Sequence, residues 1–193
     1  MGMANAGDTT RLSTDVYAHR LRDAAAGAAA AGLSGLIITP GYDLRYLTGS
    51  RAQTFERLTA LVLPADGATP TVVVPRLELA ALRESAVPEL GVTVRDWVDG
   101  EDPYALVAAA LGAGGVGTAT GDRPATAVTD SMPALHLLPL ADILGRVPVL
   151  ATDVLRRLRM IKDESEIDAL RKAGAAIDRV HARVPGFLVP GRT

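Results

Sequence analysis

Cysteine, long apolar runs and an excess of basic charge are all missing from this sequence. With no cysteine among 193 residues, disulfides, thiolate metal sites and thiol nucleophiles are excluded, and cytoplasmic residence fits best. The formal net charge is -2 and the basic residues are scattered, which argues against a nucleic-acid surface. No apolar run approaches the ~20 residues of a membrane helix. We therefore expect no nucleic-acid partner and no membrane partner.

What is present is ordinary globular composition, with 48% hydrophobic and 22% charged residues. The length suits one generous domain, or one domain with a fragment of a second. The first residues lack the charged start and apolar run of a signal peptide, so residues 1–13 are predicted to be a flexible tail.

Strand and helix patterns alternate along most of the chain. Thr14–Ala31 has helical apolar spacing, and Leu36–Thr39 is a short continuous apolar run typical of a buried strand. Leu58–Leu63 and Thr71–Val74 flank Asp66-Gly67 and indicate an antiparallel hairpin. Together these patterns predict an α/β fold, a three-layer mixed sheet with helices on both faces.

The second half continues the pattern with less certain boundaries. Helices are predicted over Arg76–Ala86 and Thr152–Met160, and over part of Asp122–Leu138, where Ser131 is a candidate cap. Another helix is predicted from Asp102-Pro103, a cap followed by proline, to about Leu111. A last helix begins at a capping box formed by Asp163 and Glu166 and is predicted to continue through Leu188. Val92–Trp97 alternates like a half-buried strand, and Leu140–Leu144 is a short apolar run.

Gly112–Gly117 matches the spacing G-x-G-x-x-G of dinucleotide-binding loops. That motif needs a strand before it and a helix after it, so that helix amides meet the pyrophosphate. Here a predicted helix comes first and the strand-like Val116–Ala119 follows. We interpret the motif as a helix stop and a turn.

A stretch from Gly41 to Pro64 joins two predicted core strands, and loops held in this way commonly carry function. Its Tyr46-Leu47-Thr48-Gly49, then Glu56-Arg57 and an apolar strand, resembles the amino-terminal domain of the creatinase/prolidase/aminopeptidase P family. A second stretch is similar to the join between that domain and the pita-bread catalytic domain of the same metallohydrolases. It comprises Arg159, Lys162, Glu166, Ile167, Ala173 and Pro190-Gly191-Arg192-Thr193.

The resemblance implies a domain organisation and an activity for the parent protein. Residues 14–150 would form the creatinase/prolidase-like amino-terminal domain, and residues 151–193 a linker and the first helix of a truncated catalytic domain. Two divalent metal ions, such as manganese, would be held beyond Thr193, so this chain alone would contain no cofactor and no catalytic residue. The parent would hydrolyse Xaa-Pro peptides as a homodimer.

The resemblance also implies a supporting role for the stretch from Gly41 to Pro64, which we term the opening loop. In dimeric relatives this domain leans over the partner's catalytic domain, and Phe55 and Arg57 stand where some relatives place an aromatic residue and an arginine facing substrate. An arginine can bind a carboxylate through two parallel hydrogen bonds. Tyr42 and Arg45 are weaker candidates. The competing interpretation places Phe55 at the core edge and leaves Arg57 in solvent.

Other groups that could suggest chemistry have simpler explanations. His19, His136 and His181 lie far apart and are predicted to be surface or packing residues. The acidic residues at 163–168 suit a helix start, where the helix dipole favours negative charge. Two alternatives for the parent stay open: a creatinase-like C–N hydrolase, and a pseudo-enzyme that binds a peptide or protein.

Overall fold

The computed structural model describes residues 12–53, 56–112, 124–188 and 190–191. The helices are α1 Thr14–Ala30, α2 Tyr42–Thr48, α3 Leu79–Arg83, α4 Pro103–Ala110, α5 Ala134–Leu144, α6 Thr152–Met160 and α7 Glu164–His181. The strands are β1 Gly35–Ile38, β2 Ala60–Pro64, β3 Thr71–Pro75, β4 Thr93–Trp97, β5 Thr126–Val128 and β6 Val149–Leu150. Short 3₁₀ turns occupy Arg76–Glu78, Val87–Glu89 and Val184–Gly186.

Within these described ranges, the strands form one sheet of six in the order β4-β3-β2-β1-β5-β6. β2 pairs antiparallel with both β1 and β3, while β1 with β5, β3 with β4, and β5 with β6 are parallel. Consequently β2 runs opposite to all the other strands. The mixed sheet predicted from the sequence is confirmed.

The alternation of side chains along the central strands builds a separate core on each face of the sheet. On one face, Leu36 and Ile38 of β1 pack with buried residues of α1, α2, α3 and α6. On the other face, Ile37 packs with residues of α4 and α5, including Val107 and Leu140. All three β1 side chains are fully buried. The three-layer arrangement is therefore a direct result of strands that are apolar on both faces.

Two helix starts follow the capping signals in the sequence. The carboxylate of Asp102 accepts hydrogen bonds from the amides of Tyr104 and Ala105, and Pro103 occupies the first turn of α4. At α7, Asp163 accepts from the amide of Glu166, whose side chain accepts from the amide of Asp163 in return. This reciprocal pair is the predicted capping box.

The structure corrects the prediction in four places. The loop expected after β1 contains α2. The segment 122–138, expected to be helical in part, is helical only from Ala134, and Thr126–Val128 form β5. Ser131 does not cap a helix, because α5 starts after Pro133. α5 also continues through Pro139 and includes the apolar run at 140–144. α7 ends at His181, so Val184 and Leu188 lie beyond it.

The remaining glycine-rich prediction is only partly within the described residues. Gly112 follows α4 with a φ of 70°, as expected for a helix stop. Residues 113–120, with the rest of the motif, lie outside the described ranges.

The chain divides into two compact units, one ending at Leu158 and one from Arg159 to Thr193. The sequence placed the end of the first domain at residue 150, before α6. In the structure Ala151, Val154 and Leu155, which follow residue 150, are buried in the core of the first unit. Among the described helices, none is both long enough and apolar enough to cross a membrane.

Candidate functional site

Several charged and polar residues of the first unit lie at one edge of the sheet, where most of its strands end. Because β2 runs opposite to its neighbours, the segment before β2 lies at the same edge as the segments that follow the other strands. Arg57 precedes β2, Arg76 follows β3 and Asp99 follows β4. Thr39 follows β1 and Thr129 follows β5 at the same edge. In α/β sheets, ligands commonly bind outside such carboxyl-terminal strand ends.

Arg57 is bound to a carboxylate at this edge. Its Nε donates to Oδ1 of Asp99 at 3.1 Å and its Nη2 donates to Oδ2 at 3.0 Å. The side chain of Arg57 is 33% exposed and that of Asp99 75% exposed. Hydrogen bonding to Arg57, and then its positive charge, lowers the pKa of Asp99 below the ordinary value of an aspartate. The pair is therefore ionised on both sides near neutral pH.

The backbone next to Arg57 is fixed to the sheet. The indole Nε1 of Trp97 donates to the carbonyl of Leu58 at 3.0 Å, and the Leu58 side chain is 1% exposed. The hydroxyl of Thr59 donates to Oε2 of Glu78 at 3.0 Å. These bonds hold the end of the opening loop in place independently of Asp99.

A second arginine-carboxylate pair lies along the same edge. Nε of Arg76 donates to Oδ2 of Asp96 at 2.6 Å. The hydrogen bond from Arg76 lowers the pKa of Asp96, and the same bond raises the pKa of Arg76. This pair resembles that of Arg57 and Asp99 in chemistry, and it supplies a matched control for it.

β1 lies between β2 and β5 in the sheet, and the chain continues from β1 to β2 on one side while β5 pairs on the other side. The loops that follow β1 and β5 meet at this point. The hydroxyls of Thr39 and Thr129 lie 2.8 Å apart, and the Thr129 hydroxyl also accepts from the Thr39 amide at 3.2 Å. Both threonines are buried. Tyr42, directly after this junction, is 79% exposed, and Arg45 is exposed as well.

Phe55, the other residue named for pocket closure, lies outside the described residues. Asp99 was not singled out from the sequence. It follows Arg57 by 42 positions, so no local spacing links the two residues. The only feature of the sequence that could have indicated Asp99 is its position just after the predicted half-buried strand.

The three histidines occupy separate positions, as predicted. His19 is exposed and its Nε2 lies 3.1 Å from Oδ2 of Asp23, and His181 is exposed. His136 is 1% exposed, and its Nδ1 lies 3.1 Å from the hydroxyl of Tyr104. Burial, followed by the charge of Asp102, raises the pKa of Tyr104.

Among the described residues, no three His, Cys, Asp or Glu side chains converge closely enough to hold a metal ion. Hard divalent ions require several converging oxygen ligands. The described residues therefore do not fit a two-metal centre, and we derive no catalytic step through a metal in this chain.

The comparisons with known proteins agree with this fold. A family model described as the Creatinase/Prolidase N-terminal domain matches residues 20–161. The probable dipeptidase PepE of Mycobacterium tuberculosis is 73% identical over 183 residues, which is 95% of this chain and 46% of the relative. The chain thus spans about half the length of the curated relatives that it matches.

Solved structures give the same picture. Dipeptidase PepE from Mycobacterium ulcerans superimposes with a TM-score of 0.84 at 72% identity, covering 95% of this chain and 47% of that one. Recombinant prolidase from Thermococcus sibiricus gives a TM-score of 0.74 at 30% identity, covering 92% of this chain and 46% of that one. With the family model matching most of its length and the same fold in these structures, the chain belongs to the Creatinase/Prolidase N-terminal domain family.

Proposed function

We propose that this chain is the non-catalytic amino-terminal domain of a dinuclear-metal peptidase that hydrolyses Xaa-Pro peptides, as a dipeptidase or an aminopeptidase. The relatives named dipeptidase and prolidase support a peptidase parent, and this chain spans less than half of each. The two divalent ions, such as manganese, would be held by residues beyond Thr193. The domain would contribute to a homodimer and to closure of the substrate pocket.

The observation that carries this role is the guanidinium of Arg57, which is held in a defined orientation at an accessible edge. A fixed guanidinium can offer paired donors to a carboxylate, such as the free acid end of a peptide. Phe55, two positions earlier, would add an apolar contact to the same pocket. In this arrangement Arg57 and Phe55 act on the substrate in the catalytic domain of the second subunit.

The decisive experiment replaces Arg57 by alanine in the full-length parent protein. Loss of a charge-assisted hydrogen bond to substrate is worth about 1.5–3 kcal/mol, so kcat/KM for an Xaa-Pro dipeptide should fall roughly 10- to 100-fold. Arg76→Ala, which removes the neighbouring paired arginine, should leave kcat/KM within about twofold of the wild type. Unchanged kinetics in Arg57→Ala would show that this arginine takes no part in the pocket.

The isolated chain is expected to have no peptidase activity of its own. The described residues hold no cluster that could bind a metal ion, and hydrolysis of this class depends on metal-activated water. Xaa-Pro dipeptides and longer Xaa-Pro peptides should be incubated with the purified chain and added manganese or cobalt. Turnover that copurifies with the chain would contradict the proposal.

A further inference from the structure

We propose that Asp99 is a positioning residue, which orients the guanidinium of Arg57 so that its outer edge receives the carboxylate of the substrate. The inference rests on the proposed function, because it assigns Asp99 to the same pocket. It adds a residue of this chain that acts through Arg57 and does not touch the substrate.

The geometry of the guanidinium is the first argument. Arginine has five N–H donors in a planar fork, and a carboxylate can bind either at the Nε and Nη2 side or at the Nη1 and Nη2 end. Asp99 occupies the side through Nε and Nη2. Both N–H groups of Nη1 and one of Nη2 remain on the other edge. Asp99 thus fixes the plane of the guanidinium without using the end at which a second carboxylate could bind.

The contacts of the remaining edge are the second argument. The nearest charged group described there is Glu56, whose Oε1 lies 3.8 Å from Nη1. This separation exceeds hydrogen-bonding distance, and the Glu56 side chain is 74% exposed. A solvated glutamate at this distance can move away at little cost. The edge is therefore accessible to an incoming carboxylate.

The charge balance explains why orientation matters here. Hydrogen bonding to Asp99, and then the negative charges of Asp99, Glu56 and Glu78, raise the pKa of Arg57, so its positive charge is already balanced by nearby carboxylates. The neighbourhood has no positive excess that would attract an anion from a distance. Recognition must then depend on short, well-directed hydrogen bonds, and these require a guanidinium held in one plane.

The backbone anchors make the role of Asp99 testable separately from folding. The bonds from Trp97 to the Leu58 carbonyl and from Thr59 to Glu78 do not involve Asp99. Asp99 itself is 75% exposed, and exposed surface substitutions have small effects on stability. Replacing Asp99 should therefore release the guanidinium while the loop and the sheet stay in place.

The test uses the full-length protein with the variants Asp99→Asn, Asp99→Glu, Asp96→Asn and Arg57→Ala. An asparagine offers one acceptor oxygen in place of two, so the plane of the guanidinium is no longer fixed. Asp99→Asn should raise KM for an Xaa-Pro dipeptide about tenfold with kcat within about twofold. The competitive Ki of the corresponding dipeptide amide, which has no terminal carboxylate, should change by less than about twofold.

The two other carboxylate variants separate positioning from general effects. Asp99→Glu restores two acceptor oxygens and should recover most of the lost affinity. Asp96→Asn breaks the matched pair with Arg76 and should leave both KM and Ki at the wild-type values. Thermal unfolding of all the variants should agree with that of the wild type.

The outcomes distinguish this inference from the proposed function. If Arg57→Ala is impaired and Asp99→Asn is not, the positioning role is overturned and the pocket role of Arg57 stands. If Arg57→Ala also has wild-type kinetics, the proposed function of this edge fails. Equal losses of affinity for the acid and for the amide, or a lowered unfolding temperature that Asp99→Glu does not restore, would assign Asp99 a structural role and overturn the inference.

Discussion

At the scale of single residues, the contact between Tyr104 and His136 is a polar interaction between α4 and α5. The Tyr104 hydroxyl lies 3.1 Å from a ring nitrogen of a histidine that is almost fully buried. Such a bond contributes about 1 kcal/mol when its partners are withdrawn from water. It also gives the domain a pH dependence in the alkaline range, because burial raises the pKa of Tyr104.

Tyr104→Phe should therefore lower the free energy of unfolding by about 1 kcal/mol near neutral pH. The folded-state pKa of Tyr104 is above the unfolded value of about 10, so its contribution is present below that pH and is lost as pH rises through the folded-state pKa. The variant should consequently lose less stability than the wild type as pH rises above about 10. Urea unfolding across this range is the measurement.

Tyr42→Phe is the control, because Tyr42 is 79% exposed. Its unfolding should follow that of the wild type at every pH. An identical alkaline loss of stability in Tyr104→Phe and in the wild type would contradict the assignment to Tyr104.

At the scale of elements, α2 depends on the glycine that ends it. Gly49 has a φ of 72°, in the left-handed region that closes helices, and its amide bonds back to the carbonyl of Arg45 at 2.8 Å. A Cβ at this position would lie 2.9 Å from the hydroxyl of Tyr17, a residue of α1 that is 5% exposed. The same glycine thus allows both the backbone turn and the close packing of α1 on α2.

Gly49→Ala should destabilise the protein more than Gly67→Ala. Gly67 also has a positive φ, of 84°, but a Cβ there would meet no atom within 4 Å. Both substitutions carry a backbone cost of about 1–2 kcal/mol, and only the first also displaces Tyr17. Chemical denaturation of the two variants gives the difference. Equal losses would mean that Tyr17 moves aside without cost.

The elements also show which parts of the structure the sequence could predict. The capping box at Asp163 and the cap at Asp102 were predictable, because their partners lie two or three positions away. β5 was not, because its three residues become a strand by pairing with β1, about 90 positions earlier. α2 was missed because it is one short helix between two glycines, in a stretch expected to be a loop.

The residues of the candidate site were likewise predictable only in part. Arg57 could be predicted through its resemblance to a family pattern, whereas Asp99 could not, because 42 positions separate the two residues and only the folded sheet brings them together. The family itself could be recognised because its matching residues fall within two short stretches of the sequence. Distances between side chains of separate strands depend on the sheet order, which local patterns do not specify.

At the scale of the whole molecule, the first unit depends on α6, because side chains of α6 form part of its core. Ala151, Val154 and Leu155 are buried in its core, and the unit ends at Leu158. Burial of each large aliphatic side chain is worth ~1.5–3 kcal/mol. A chain that stops at Leu150 lacks all of these contacts, whereas one that stops at Met160 keeps them.

We therefore expect the chain ending at Met160 to unfold cooperatively with a midpoint close to that of the 193-residue chain. The chain ending at Leu150 should lose roughly 3–6 kcal/mol, from Val154 and Leu155 alone, and should be largely unfolded at 37 °C. Thermal unfolding followed by circular dichroism compares the three. A cooperative, equally stable chain ending at Leu150 would show that α6 is not required by this core.

The insertion of β5 beside β1 also has a consequence for the way in which the chain acquires its structure. β1, β2 and β3 follow one another closely in the sequence and can pair without β5, since loops of this length close at low entropic cost. The other edge of β1 stays unpaired until β5, which begins at Thr126, is available. During this interval a fully apolar strand edge, Leu36-Ile37-Ile38, has no pairing partner and is open to pairing with other chains. A refolding chain in which β5 has not yet paired exposes the same edge, so refolding yield should fall as protein concentration rises.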